Sequence, residues 1–189
     1  MPDEQRKPVD ADKIIENVFT GRGYDLSQTD PQTLADLKNT IQRMADTHQD
    51  LIEIAEQGDP EDQYELALYY ENQEDFLDDA KYWYLEAVKQ GHAKAGYNLA
   101  RLLYKEKNYS LALQYFEMNA EKVSQSALMV GALCLGDDYK NVIPRNPEKG
   151  LFYLTMASNT GYYPASQLLG DYYRKGEGLP QDDGKALHW

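Results

Sequence analysis

The stretch GYYPASQLLGDYYRKGEGLPQDDGKALHW, residues 161–189, decides the fold. It places an apolar residue before a small one (Leu169-Gly170), then a turn rich in Gly, Pro and Asp, then a small residue (Ala186) with an aromatic three positions on (Trp189). The same plan recurs upstream. GDPEDQYELALYY (58–70), GHAKAGYNLARLLY (91–104) and SQSALMVGALC (124–134) carry Leu66-Ala67, Leu99-Ala100 and Val130-Gly131. Each leads to a second segment opened by Ala80, Ala112 or Gly150, with Trp83, Tyr115 or Tyr153 three residues later. The four aromatics lie 32, 38 and 36 residues apart, a period typical of stacked supersecondary units.

The irregularity in that period is confined to one place. From the small residue of the first segment to that of the second the spacing is 13, 12, 19 and 16 residues. Loops tolerate such changes cheaply, whereas packed elements do not. Both segments have helical spacing. In the second unit Ala95, Leu99, Leu102 and Leu103 form one face, and Lys94, Tyr97, Arg101, Tyr104 and Lys105 another. Small residues at the Ala/Gly positions allow close helix approach. Gly91 and Gly161, each four residues after an alanine, read as left-handed helix stops. The loops DDYKNVIPRNPEKG and KGEGLPQDDGK cannot continue a helix. The pattern predicts an array of antiparallel helix pairs.

In this arrangement residues 161–189 resemble the Sel-one-like repeat, a branch of the tetratricopeptide-like helical solenoids. The shared features are Gly, alternating Ala and polar residues, Leu-Gly, Tyr, Gly-x-Gly-hydrophobic, Asp, Lys-Ala and Trp. The unit at 58–90 matches at Tyr64, Leu66, Ala80, Lys81 and Trp83 but lacks the Gly-x-Gly loop. The unit at 91–123 resembles a plain tetratricopeptide repeat in loop length, and that at 124–160 carries Cys134 and Tyr153 where Tyr and Trp are usual. The expected fold is all-α: a right-handed α-solenoid of three and a half units (58–90, 91–123, 124–160, 161–189) behind an N-terminal capping helix.

Composition narrows the function. Among 189 residues, 32 are acidic and 19 basic, for a formal net charge of −13. That balance argues against binding nucleic-acid phosphates or anionic lipid. One cysteine, Cys134, forbids a disulfide within the chain. No stretch approaches the roughly 20 apolar residues of a membrane span, and the start MPDEQRKPVDADK has no apolar signal core. A cytoplasmic location is expected. Sixteen Tyr against four Phe and two Trp suits surfaces that are apolar on one side and wet on the other.

The two ends lie outside the regular plan. Residues 1–9 read as a disordered tail, and a short helix around 11–19 offers Ile14, Ile15, Val18 and Phe19. Beyond it Leu34, Leu37, Ile41, Met44, His48, Leu51 and Ala55 form a heptad stripe on one helix over 31–57, with Asp30 as N-cap and Pro31 in the first helical position. Covering the first repeat is the preferred role for residues 10–57, a dimerising coiled coil the alternative. At the other end the chain stops at Trp189, four residues into a second helix. Truncation from a longer array, or a contact of this unfinished repeat with another molecule, is expected.

Catalytic machinery is not visible. His48, His92 and His188 are scattered, with His48 read as a packed helix residue and His92 as a solvated loop residue. Cys134 falls at a helical position shared with Tyr70, Leu103 and Tyr173 and reads as a small buried hydrophobe. Asp137-Asp138 and Asp182-Asp183 read as solvated acidic turns. No cofactor or metal is expected. Some cysteine-rich members of the resembling family are linked to β-lactam binding or hydrolysis, but they depend on secretion and paired cysteines. A hydrolase is therefore the least favoured reading.

What remains is surface. The resemblance puts the first helix of each pair on the concave side, where partners usually lie. That places Tyr64, Leu68, Glu71 and Asn72 there from the first unit, and Lys94, Tyr97, Arg101, Tyr104 and Lys105 from the second. The third contributes Gln125, Leu128 and Ala132, and the fourth Gln167, Asp171, Arg174 and Lys175. A groove with these cations between tyrosines could hold an acidic segment or a free carboxylate. The plainer alternative is a solvated helix side whose lysines balance neighbours such as Glu106. The function expected is a non-catalytic adaptor binding a protein or peptide. The rival is an acidic neutralising protein, of immunity or inhibitor type, for a basic partner such as a nuclease-type toxin.

Overall fold

The computed structural model describes residues 29–139 and 141–189. The tail at 1–9 and the short helix expected around 11–19 lie outside the described residues. Two compact units divide between Gln57 and Gly58. In the first, α1 (Pro31–Glu56) begins as expected: Asp30 accepts from the Thr33 N–H at 2.9 Å and Pro31 takes the first position. The stripe needs one correction. Met44 is 64% exposed, while Leu34, Leu37, Ile41, His48, Leu51 and Ala55 lie on the enclosed side, joined there by Lys38, Ala45 and Ile52.

The second unit is entirely helical among its described residues. It runs α2 (Pro60–Glu71), α3 (Leu77–Lys89), α4 (Ala93–Lys105), α5 (Tyr109–Asn119), α6 (Ser124–Leu135), α7 (Pro147–Asn159), α8 (Tyr163–Lys175) and α9 (Asp183–His188). Short 3-10 turns at Glu74–Phe76 and Asp137–Tyr139 lie within the longer connections. The helices pack in order, α2 on α3, α4 on α5, α6 on α7 and α8 on α9, and each second helix packs on the next first helix. This is the solenoid of helix pairs that the period predicts.

The landmark residues form its core. Leu66, Ala67, Ala100, Val130 and Leu169 are fully enclosed, as are Ala80 and Ala112. Burying each leucine contributes about 1.5–3 kcal/mol. The glycines among the landmarks mark close approaches: a Cβ built on Gly150 would lie 2.5 Å from Leu135 Cγ.

Helix ends are set by backbone conformation. Gly91 and Gly161 are left-handed, with φ of 83° and 80°. The N–H groups of His92 and Tyr162 then return to the carbonyls of Ala87 and Ala157 at 3.1 and 3.3 Å. Lys107 does the same work without being glycine: its φ is 64°, and the Asn108 N–H reaches the Leu103 carbonyl at 2.9 Å.

The loops of unequal length share an anchor. In the third and fourth repeats Asn146 and Asp182 donate their N–H groups to the carbonyls of Cys134 and Tyr173, at 3.0 and 2.9 Å. Those carbonyls occupy the position of Leu103, and of Tyr70, which accepts from Gln73 at 2.9 Å. Asn146 and Asp182 then cap the following helices through their side chains, at 3.0 and 2.9 Å from the N–H groups of Lys149 and Lys185. Asp182 is thus a helix cap and not merely a solvated acidic turn. Ile143 and Leu179, 4% and 6% exposed, plug the two loops into the core.

Candidate functional site

The first helices α2, α4, α6 and α8 carry the residues expected to meet a partner. Their outward sides differ from repeat to repeat, and the differences come from what each side chain finds in the next repeat.

At the seam of the first and second repeats the groups satisfy one another. Glu71, at the end of α2, has a mostly buried side chain, 13% exposed. Its two carboxylate oxygens accept from Arg101 Nη2 on α4 and, at 2.6 Å, from the Tyr84 hydroxyl on α3. Asn98 Nδ2 in turn donates to the Tyr84 oxygen at 3.1 Å. Burial, and the hydrogen bond that Tyr84 donates to Glu71, push its phenol far above the usual tyrosine range. Burial also raises Tyr64, whose ring lies 6.0 Å from that of Tyr84. Of the expected groove residues, Glu71 and Arg101 are the pair that meets across two repeats, and the meeting neutralises both. Tyr84 and Asn98 were missed from the sequence, although an Asn among Ala95, Leu99 and Leu102 marked a polar group bound for the interior.

His92 belongs to this seam and corrects the expectation of a solvated loop residue. It is the N-cap of α4: its Nδ1 accepts from the Ala95 N–H at 3.0 Å. That leaves Nε2 carrying the proton, 3.0 Å from a Glu61 carboxylate oxygen. The ring lies 4.6 Å from that of Tyr64, and only 11% of the side chain is exposed.

Along α4 the remaining residues stand more openly. Lys94 and Lys105 are exposed and have no ion-pair partner among the described residues. Glu106, the expected neighbour of Lys105, is held at 2.5 Å by Lys81 of α3. Tyr97 and Tyr104 are half-buried between the two lysines. Tyr97 packs 6.0 Å from Phe116, and burial raises its phenol against the opposing charge of Arg101. The Tyr104 hydroxyl bonds that of Tyr139, and Tyr109 completes a ring cluster with centroids 5.1 and 5.3 Å from the other two.

The other repeats offer less charge than the sequence suggests. Arg174 pairs with Asp171 on its own helix at 2.8 Å, and Lys175 lies 3.9 Å from Glu177. Asn72 and Gln167 are exposed, and Asn72 bonds back to the Leu68 carbonyl at 2.9 Å. Gln125 is exposed, while Leu128 and Ala132 are half-buried and uncharged.

Among the described residues no three His, Cys, Asp or Glu side chains come together as a metal site. Cys134 is free and buried, and burial pushes its thiol up, away from the reactive thiolate. His188 meets Trp189 edge-on, far along the chain from His48 and His92. No described helix is long and apolar enough to cross a membrane.

The Sel1 repeat model matches residues 60–92, 93–122, 124–162 and 164–189, more than half of the chain. A Sel1 repeat protein from Oxalobacter formigenes is 28% identical with a TM-score of 0.67, over 100% of this chain and 73% of that one. A protective antigen present in uropathogenic Escherichia coli strains, displaying an SLR fold, is 24% identical with a TM-score of 0.62 and shares the fold. That likeness covers 75% of this chain and 32% of the antigen, so the chain spans about a third of its length. No curated protein matches the sequence.

Proposed function

The chain belongs to the Sel1 repeat family, and from that premise we propose that it is a non-catalytic adaptor holding a peptide or protein surface against the first helices of its repeats. Sel1 repeats commonly mediate protein–protein interaction and are generally scaffolds without catalysis. The observation that carries the reading is the outward side of α4. In a chain of net charge −13 it presents two unpaired lysines, Lys94 and Lys105, with Tyr97 and Tyr104 between them. An acidic segment or terminal carboxylate of the partner would make charge-assisted hydrogen bonds with the lysines and lie across the rings. Arg101 is already paired with Glu71 across the seam, and Arg174 with Asp171 on its own helix, so neither is a free cation for the partner.

The test compares proteins captured from native extract by the wild type and by the Lys94→Ala/Lys105→Ala variant. Both substitutions are exposed and leave the fold alone. Loss of a specific partner from the variant supports the reading, and identical capture by both proteins ends it. Arg101→Ala would be a poorer probe, because it also leaves the Glu71 carboxylate short of a donor.

A second reading, an acidic protein neutralising a basic one, is favoured by the net charge itself. One basic, toxic partner in the same capture would select it over scaffolding.

A further inference from the structure

The loop that closes the fourth repeat runs tightly against the third. Gly176 and Gly178 are both left-handed, with φ of 70° and 76°. A Cβ built on Gly178 would lie 2.8 Å from the Leu135 carbonyl oxygen, so only glycine lets the loop come so near. This close approach brings Glu177 into the same wall as the turn at Asp137–Tyr139. Between that turn and α8 an open cleft of about 280 Å³ remains, at the junction of the third and fourth repeats.

Among the described residues the cleft is lined by the carboxylates of Asp137, Asp138, Asp171 and Glu177 and by the cation Lys175. Asp137 is shared with Arg145 at 3.3 Å and Asp171 with Arg174 at 2.8 Å. Lys175 reaches Glu177 only at 3.9 Å. Asp138 has no ion-pair partner among the described residues. Tyr172 lines the same cleft and is 9% exposed, yet its hydroxyl makes no hydrogen bond among the described residues. The ring is enclosed while the hydroxyl opens into the cleft, within reach of a ligand there. Burial and the charges of Glu177, Asp138 and Asp137 push the Tyr172 phenol up to about 12. At neutral pH it is an uncharged hydroxyl with lone pairs to accept a proton donor in anionic surroundings.

We propose that this cleft receives an arginine side chain from a basic segment of a partner protein. A guanidinium brings five N–H donors in a planar fork, enough to engage a free carboxylate, a second one beside it and the tyrosine oxygen together. A metal ion fits less well, because no three carboxylates among the described residues converge on one point. The cleft lies on a different pair of repeats from Lys94 and Lys105, so one partner of mixed charge can use both. The inference rests on the reading of the repeats as a protein-binding surface, but its test is separate.

That test is a titration of the isotopically labelled full chain with Nα-acetyl-arginine amide, followed by amide resonances, with the citrulline counterpart as the uncharged control. Saturable shifts centred on Asp138, Tyr172 and Glu177, absent with citrulline, are the expected result. Tyr172→Phe, and separately Asp138→Asn/Glu177→Gln, should each weaken binding about tenfold, the worth of one hydrogen bond to a charged group. Unchanged thermal unfolding of the variants shows that they still fold. Shifts scattered over carboxylates along the whole array, an equal response to citrulline, or unchanged affinity in the variants would each overturn the proposal. The same saturable shifts with calcium chloride alone would assign the cleft to a metal ion instead. A failed titration beside a partner lost through Lys94→Ala/Lys105→Ala would remove the cleft and leave the α4 contact standing.

Discussion

Gly131 on α6 faces Leu154 on α7 so closely that a Cβ built on the glycine would overlap Leu154 Cγ and lie 2.7 Å from its Cδ2. Both residues are buried, and Leu154 is 0% exposed, so neither side has room to give. Gly131→Ala should therefore destabilise the fold by about 1–3 kcal/mol, the usual cost of overpacking a filled core. Urea unfolding checks it. Equal midpoints for the variant and the wild type would mean that α6 and α7 are free to move apart. Ala67 and Ala100 sit at the same repeat position with their Cβ atoms accommodated, and a Cβ on Gly170 of the fourth repeat would meet the Ala186 carbonyl oxygen only at 3.2 Å, so the clash is sharpest in the third repeat.

Ser126 makes the opposite case. It is 0% exposed and its Oγ has no hydrogen-bond partner among the described residues. The equivalent positions in the second and fourth repeats are Ala95 and Ala165, both fully buried. Ser126→Ala removes an unsatisfied hydroxyl and leaves the packing nearly unchanged, so stability should hold or rise by up to about 1 kcal/mol. A lower unfolding midpoint would reveal a partner for the hydroxyl.

His92→Ala should cost about 1 kcal/mol, because the Ala95 N–H loses its acceptor and the rings around Tyr64 lose a neighbour. His92→Asn keeps a capping oxygen and should recover much of that loss. Chemical denaturation of the two variants side by side decides the point: equal losses would mean that ring packing, and not the cap, is what the histidine supplies.

Lys107 holds a left-handed conformation that costs a non-glycine residue about 1–2 kcal/mol. Lys107→Gly relieves it at some expense in unfolded-chain entropy, and a net gain of about 0.5–1 kcal/mol is expected. The side chain is exposed, so little else changes. A drop in melting temperature would contradict the strain.

Alkali should find the tyrosines out of order. Tyr172 is held up to about 12 by burial first and then by Glu177, while Tyr84 and Tyr139 are raised further still, in each case mainly by burial. Since unfolded tyrosine ionises near about 10, the native state keeps these protons longer than the unfolded one does. Their contribution to stability is complete below the unfolded value and declines as pH rises above it. A phenolate absorbance titration should show an early group of exposed tyrosines and a late group that ionises together with unfolding. A single step, with helicity retained throughout, would refute the ordering.

The helix pairs are legible because the apolar–small pairs Leu66-Ala67, Leu99-Ala100, Val130-Gly131 and Leu169-Gly170 repeat the packing problem four times, and Gly91 and Gly161 mark their stops. Where two solutions share one periodicity, sequence reading cannot choose. Met44 fits the helical stripe as well as Ala45 does, and apolarity favours Met44, which the structure leaves in solvent. Lys107 escapes notice because nothing in its identity announces positive φ. His92 escapes because imidazole rarely serves as a cap. The candidate surface is harder still. Arg101 reads as a free cation until Glu71, thirty residues away in sequence, is seen to meet it. Pairings across repeats depend on how far each helix is turned against the next, and no linear pattern records that angle.

The shared anchor of the loops has a consequence for change. Both long connections are fastened at the carbonyls of Cys134 and Tyr173 and again at Asn146 and Asp182, and each drives one apolar residue into the core. Between those fixed points Ile143, Leu179 and Gly178 are held by packing, whereas the side chains of Asn141 and Val142 stand exposed. They form a cassette: a lineage, or an engineer, can rewrite the recognition text there while the helices on either side remain unaware of the edit.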